Sequence, residues 1–509
     1  MAISTLPHDA ALCNPFQDLN WTDLGNARRF LIAHGPDLHF CHPLQRWFVW
    51  DGARWKEDFT GEVVARAKDT VRAMYAEAAS EEDDKRRKDL ARHALRSEAA
   101  QKIRAMVELL KTEPGIPVLP EELDRDPWLL NCENGTLDLR TGELREHRRE
   151  DLLTKVIPVS YDPNATCPQW YAFLDRIMAG RADLVTFLQR AVGYSLTGLT
   201  DERVLFILHG CGANGKSSFL ETIALLLGDY AMRTTTDTLL ARQQDGVPND
   251  IARLRGARFV YASEAEEGRR LAEAKIKDLT GGDTITARFM RAEWFQFKPE
   301  FKLFMGSNHK PVVRGTDAAI WDRIRLIPFD VRIPEPERIP RRELMARFQA
   351  ELPGILAWSV RGCLDWQAHG LGIPQEVAQA TGAYRAEMDV LAQFLEECCI
   401  VNPLAKAKAG DLYKAYAEWC EENGERPVSQ RNFGMRLTER GFEPYRAGAR
   451  RDRFWRGVGL TDTTDTTDAI SGLTTRDTET RELYGKVRPL APVTSAGDGP
   501  NNGKEAFEA

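Results

Sequence analysis

Residues Gly210-Cys211-Gly212-Ala213-Asn214-Gly215-Lys216-Ser217 fill the pattern G-x-x-x-x-G-K-[ST] at every fixed position. An apolar run, Val204 to Leu208, precedes them, and a helix-compatible stretch, Ser218 to Leu227, follows. Strand, glycine loop and helix in that order are what a phosphate-binding loop requires. The glycines let backbone N–H groups turn toward phosphate oxygens, and the start of the helix adds partial positive charge. Gly210 to Ser217, with Ser218 behind them, are therefore the expected ATP-binding residues. Lys216 would reach the β- and γ-phosphates, and the Ser217 hydroxyl would hold Mg²⁺.

A chain of 509 residues is too long for one ordinary domain, and 43% hydrophobic residues supply several cores. It contains no apolar run of about 20 residues, so no membrane span is expected. The start, MAISTLPHDAALCNPF, lacks the basic and apolar succession of a secretory signal. Nine scattered cysteines without a C-x-x-C pair point to neither a zinc ribbon nor a redox motif, and fit a reducing cytoplasm. The net charge of −7 argues weakly against nucleic-acid binding by the chain as a whole. It hides a local excess, because residues 431–456 hold eight arginines against three acids.

Along the chain, Trp47 to Trp55 places apolar runs on both sides of Asp51-Gly52, a hairpin turn signal. Residues 61–112 read as helices, Asn134 to Leu144 as a small hairpin, and residues 168–200 as helical again. From 204 to 330 strand-like runs alternate with helix-like stretches, the pattern of an α/β sheet with crossover helices. Residues 340–400 read as largely helical, and 410–460 as two helices and two short strands. The tail from Thr461, rich in Thr, Asp, Gly, Pro and Asn, is expected to be disordered.

Hydrolysis also needs carboxylates at the end of a second strand. The run Arg258-Phe259-Val260-Tyr261-Ala262-Ser263 ends in Glu264, 48 residues after Lys216, and in Glu266 and Glu267. Glu264 or Glu266 is the expected Mg²⁺-side acid, with the other as base. A third strand, Phe301 to Ser307, ends in Asn308, whose amide can meet the γ-phosphate or the attacking water. Arg323 and Arg325, at the mouth of a further apolar strand, are candidates for a finger reaching a neighbouring subunit. Between the second and third strands, Thr280 to Lys298 reads as a hairpin carrying Arg288, Arg291 and Lys298, placed to grip a nucleic-acid backbone.

The set GCGANGKSS, RFVYASEAEEG, LTGGDTITARF, FKLFMGSNHKP and RGTD followed by IWDRIRLIPF resembles the superfamily 3 helicases. It is most similar to the phage and plasmid primase-helicase branch, which includes the poxvirus nucleoside triphosphatase. The resemblance covers roughly residues 125–460. It implies an AAA+-like core, a homo-hexameric ring and ATP-driven movement on single-stranded DNA. By position, Lys216 and Ser217 match the family's nucleotide-loop residues, Glu264 and Glu266 its second-motif acids, and Asn308 its sensor. The Arg288 hairpin matches its DNA-contacting segment. Asp322 stands where a basic residue is expected, which leaves the finger open between Arg323 and Arg325.

The resemblance divides the chain into an N-terminal region (1–124), a helical collar-like region (125–200), the ATPase core (201–335), its helical C-terminal part (336–400), a winged-helix-like DNA-binding module (401–460) and a tail (461–509). In the module, Ser429 is the expected cap of a second helix carrying Arg431 and Arg436. Arg450, Arg451 and Arg453 belong to an expected wing on phosphates. The pair Asp124 and Asp126 stands before Pro127, not at a buried strand end, so a primase site is not expected and a separate primase is. The expected fold is thus α/β, a P-loop NTPase core between a helical N-terminal region and a winged-helix-like module. The expected function is an ATP- and Mg²⁺-dependent helicase of phage, prophage or plasmid replication, in a bacterial cytoplasm, acting on single-stranded and fork DNA. A regulatory ATPase switch and a small-molecule kinase are the competing classes; neither needs a basic hairpin.

Overall fold

The computed structural model describes residues 16, 19–241, 249–263, 267–289, 294–315, 318–447 and 451–461. They fall into two units, Met1–Asp389 and Val390–Ala509. The first unit opens with α1 (Asp23–His34), capped by the Thr22 hydroxyl, which accepts from the Gly25 N–H at 3.1 Å. An antiparallel meander follows: β1 (Leu38–Cys41), β2 (Arg46–Trp50) and β3 (Trp55–Glu57). The Asp51 carboxylate makes the turn by accepting from the N–H groups of Ala53 and Arg54. It sets Trp50 opposite Trp55, both buried, so the tryptophan-rich hairpin is a piece of core. Helices α2 (Glu62–Ser80), α3 (Asp84–Ser97) and α4 (Ala100–Leu110) complete that core around Phe30, Phe40, Val71 and Met106.

The hairpin read at Asn134 to Leu144 forms as β5 (Gly135–Asp138) and β6 (Glu143–Arg145), with a third strand, β4 (Leu129–Cys132), paired to it. Residues 125–200 therefore begin as sheet; only then come α5 (Pro168–Ile177) and α6 (Ala182–Leu196).

The core sheet has five parallel strands: β7 (Leu205–His209), β8 (Ala231–Arg233), β9 (Phe259–Ser263), β12 (Lys302–Ser307) and β13 (Ile324–Pro328), in the order β13-β7-β12-β9-β8. Leu205 to Leu208 are wholly buried, as a strand covered on both faces must be. Phe206, Leu208 and Phe304 face one core with α6, α7 (Lys216–Leu227) and α12 (Leu352–His369). Leu205, Ile207 and Met305 face the other, with α9 (Glu273–Gly281). Between α9 and β12 the expected hairpin forms as β10 (Ile285–Ala287) and β11 (Phe295–Phe297). Short helices α8 (Asn249–Ala252) and α10 (Ala318–Trp321), then α11 (Arg341–Ala350) and α13 (Gln375–Glu387), complete the unit. Because the strands are parallel, their C-terminal ends share one edge, where ligands of such sheets bind.

The second unit runs α14 (Val390–Cys398), β14 (Cys399–Lys408), α15 (Ala409–Glu422), α16 (Gln430–Glu439), β15 (Glu443–Ala447) and β16 (Asp452–Leu460), with antiparallel sheet order β14-β16-β15. Its own core holds Phe394, Tyr416, Trp419, Phe433 and Trp455. The Ser429 hydroxyl caps α16 by accepting from the Asn432 N–H at 3.4 Å. The first helix and first strand precede the stretch read as helix, helix and two strands. In β14, Ala405 and Ala407 are buried while Lys406 and Lys408 are exposed, a two-residue period written in residues that favour helices. The tail lies, from residue 462 on, outside the described residues.

Candidate functional site

The glycine loop leaves the end of β7 and returns as the first turn of α7. Gly210 lies at φ +155°, and a Cβ there would sit 2.2 Å from the Phe329 carbonyl oxygen. Gly215 lies at φ +86°, and a Cβ would meet Ile177 Cγ2 at 2.7 Å. Neither position admits a side chain. The Ile333 N–H donates to Ala213 O at 2.8 Å, so α5 and the segment after β13 brace the loop from two sides.

Lys216 opens α7 and is buried. Its ammonium donates to Gly210 O at 2.5 Å, to Asn214 Oδ1 at 3.0 Å and to Asn308 Oδ1 at 3.0 Å. Burial brings its pKa down to about 8. Asn214 Nδ2 donates in turn to Phe329 O at 2.9 Å, which ties the loop to the end of β13. Asn308 follows β12 at the level where Ser307 pairs with His209. The Ser307 hydroxyl fixes that turn by donating to His309 O at 2.5 Å and accepting from the His309 N–H. The structure thus brings Lys216 and Asn308 together, 92 residues apart in sequence.

The cleft over these groups has a volume of about 290 Å³ and is lined by Gly212 to Ser218, Ser263 and Gly306 to Asn308. Ser217 is exposed, Ser218 half-buried, and Cys211 exposed at the mouth. No side chain caps α7. Its first N–H groups and Lys216 can therefore take an anion. Ser263 ends β9, level with Gly306. Glu264 and Glu266 follow it and lie outside the described residues.

Arg323 and Arg325 sit at the other end of the sheet, where Ile324 pairs with Leu205 at the start of β7. Arg323 donates to Thr280 Oγ1 at 3.1 Å and to Ala319 O. Arg325 donates to the carbonyls of Asp322 and Ile324, and burial lowers its pKa. Within one chain neither joins Lys216.

In the β10–β11 hairpin, the Arg288 guanidinium lies 4.8 Å from the Trp294 ring centroid, Phe289 stacks on Phe295, and Lys298 is exposed. Trp294 is 54% exposed and Phe289 42%, an aromatic surface that the pattern of basic residues did not reveal. Arg291 lies outside the described residues. In the second unit Arg431, Arg451 and Arg453 are exposed and Arg436 half-buried, with exposed Arg446 opposite Arg453 in the strand register; Arg450 lies outside the described residues. Asp124 accepts from the Thr154 N–H at 2.8 Å, and Asp126 pairs with Arg140 at 2.9 Å, so both already have structural partners. Among the described residues no cluster of three or more His, Cys, Asp or Glu is placed to hold a metal ion. No described helix is long and apolar enough to cross a membrane.

Sequence reasoning also missed two buried basic residues. Arg258 donates to Leu196 O at 2.7 Å and Leu129 O at 2.9 Å, and Lys302 to Leu199 O at 3.1 Å and to Thr197 O. They pin the starts of β9 and β12 to carbonyls at and just after the end of α6, and Arg258 also to the start of β4. A basic residue just before or opening an apolar strand was the available signal.

Three family models match the chain: "D5 N terminal like" over residues 27–179, "Family of unknown function (DUF5906)" over 208–323, and "Poxvirus D5 protein-like" over 386–448. A protein of Acanthamoeba polyphaga mimivirus named as a putative helicase is 27% identical over 331 residues, 60% of this chain and 34% of its own length. One of Invertebrate iridescent virus 3, also named as a putative helicase, is 27% identical over 58% of this chain and 35% of its own. A protein of African swine fever virus named as a putative primase is 25% identical over 60% of this chain and 34% of its own. The chain thus spans about a third of the length of these relatives, which come from large DNA viruses and not from phages or plasmids. A solved structure, the apo C-terminal region of NrS-1, aligns with a TM-score of 0.46 at 10% identity, covering 86% of this chain and 100% of that one. The D5-like family models at both ends and the viral relatives named as helicases and primases agree with the resemblance to the superfamily 3 primase-helicases.

Proposed function

We propose that this chain is an ATP-dependent DNA helicase of replication, in which the glycine loop is a phosphate-binding loop and Mg²⁺ the metal. The observation that carries the reading is the meeting of Lys216 and Asn308 over the uncapped start of α7, at the C-terminal edge of a parallel sheet. A triphosphate bound there takes the place of the carbonyl and amide oxygens around Lys216, whose ammonium then neutralises charge developing on the γ-phosphate. Ser217 is the proposed Mg²⁺ ligand, and Glu264 and Glu266 the acids that order metal and water. An AAA+-like core is part of this reading, supported by a five-stranded parallel sheet whose strands run fifth, first, fourth, third and second in chain order. The second unit is a winged helix, with α16 as reading helix and β15–β16 as wing.

In a homo-hexameric ring, Arg323 or Arg325 reaches the neighbour's nucleotide. Arg288 and Lys298, with the exposed rings of Phe289 and Trp294, grip single-stranded DNA by charge and stacking. The primase is a separate protein or lies outside this chain. The genome served is that of a phage, prophage, plasmid or large DNA virus. A second reading, an ATPase switch without unwinding, shares the loop but leaves the aromatic hairpin without a role. Strand displacement separates them: with ATP and Mg²⁺ the full chain should release a labelled strand from a forked duplex. Hydrolysis without release would favour the switch.

A further inference from the structure

Along the C-terminal edge of the core sheet the strands after β7 follow as β12, β9 and β8. The nucleotide cleft covers the ends of β7, β12 and β9. Across Ser263, which borders both, lies a second and larger cavity of about 430 Å³, lined by Arg233, Thr234, Thr235, Asp250, Arg253 and Ser263. Its wall after β8 is held in place. The Thr234 N–H donates to Tyr261 O at 2.9 Å, the Thr234 hydroxyl to Thr238 Oγ1 at 2.9 Å, and Thr235 Oγ1 lies 3.3 Å from the same oxygen.

The two arginines have no such ties. Nearby Arg269 and Arg341 each pair with a carboxylate. Arg233 and Arg253, both exposed, form no ion pair among the described residues, and Arg233 makes one long bond, Nη2 to Ser263 Oγ at 3.4 Å. Among the described lining residues Asp250 supplies the carboxylate. Guanidinium forks without an ion pair among the described residues, lining a cleft beside the Ser263 hydroxyl, suit a tetrahedral oxyanion.

We propose that Arg233, Arg253 and Ser263 form a phosphate-class oxyanion site, distinct from the glycine loop, that holds one backbone phosphodiester of single-stranded nucleic acid. Free phosphate released in the adjoining cleft is the other source of the same chemistry, and that source alone rests on the hydrolysis proposed above. The test uses the full chain and the double variant Arg233→Gln/Arg253→Gln, with Arg253→Lys as the charge-keeping control and circular dichroism as the check on folding. Binding of fluorescein-labelled oligo(dT) without nucleotide should weaken about tenfold or more in the double variant. The slope of log affinity against log salt should fall by roughly 0.7 for each phosphate no longer neutralised, and Arg253→Lys should retain most of the binding. If oligo(dT) binding is unchanged but inorganic phosphate no longer stabilises the variant against heat as it does the parent, the site stands with free phosphate as its ligand. If neither oligo(dT) nor phosphate binding changes, the site does not exist. A fluorescent ATP analogue, bound equally by parent and variant, keeps that failure apart from a failure of the loop assignment.

Discussion

Lys216 is the residue on which the site turns, and its protonation is measurable. Burial holds its pKa at about 8, below the ordinary 10.5 of lysine. Because the folded value is the lower one, the folded state loses its proton first, and this residue's contribution to stability rises with pH between about 8 and 10.5. A bound polyphosphate works the other way and restores the charge. Affinity for a non-hydrolysable ATP analogue should therefore fall as pH rises above about 8, by up to roughly tenfold per unit. Lys216→Arg should flatten that profile; an equally steep fall in the variant would show that another group titrates. Asn214 holds Lys216 on one side and Phe329 O on the other. Asn214→Ala should cost about 1–3 kcal/mol of transition-state stabilisation, because a buried carbonyl is left without its donor and the lysine without an acceptor. Asn214→Ser, with one hydroxyl, should recover part of kcat/KM. Full activity in the alanine variant would leave Asn214 as mere packing.

At the scale of elements, the loop is only as rigid as the helices behind the sheet. Helices α6 and α12 approach so closely that a Cβ on Gly193 would lie 2.1 Å from Cys363 N, and one on Gly362 would lie 2.2 Å from Gln189 O. Gly193→Ala should destabilise the first unit by about 1–3 kcal/mol, read as a lowered denaturation midpoint; an unchanged midpoint would show that the helices can slide apart. What was legible in the sequence was local. The loop, the hairpins at Asp51-Gly52 and Asn134 to Leu144, and the Ser429 cap each rest on neighbouring residues. The alternation after 204 gave the sheet but not its strand order, because parallel neighbours are joined by distant chain. For the same reason the bond from Asn214 to Phe329, 115 residues apart, and the anchoring of Arg258 and Lys302 at α6 could not be read. Strand β14 stayed hidden because its alternating residues are alanine and lysine, and β4 because its four residues are buried without alternation.

At the scale of the whole molecule, one chain holds Lys216 and Asn308 at one end of the sheet and Arg323 and Arg325 at the other. A finger from either arginine needs a second copy of the chain, which is what the proposed ring supplies. In the proposed reading the exposed Phe289 and Trp294 of the first unit, and separately the arginines of the second, serve nucleic acid; nucleotide binding alone needs neither. Coupling between the two is the central claim, and ATP turnover by the full chain with Mg²⁺, measured with and without single-stranded DNA, tests it most directly. Turnover should rise when DNA is added and fall at least roughly 100-fold in Lys216→Ala with the fold intact. Turnover indifferent to DNA, or retained in Lys216→Ala, would contradict it.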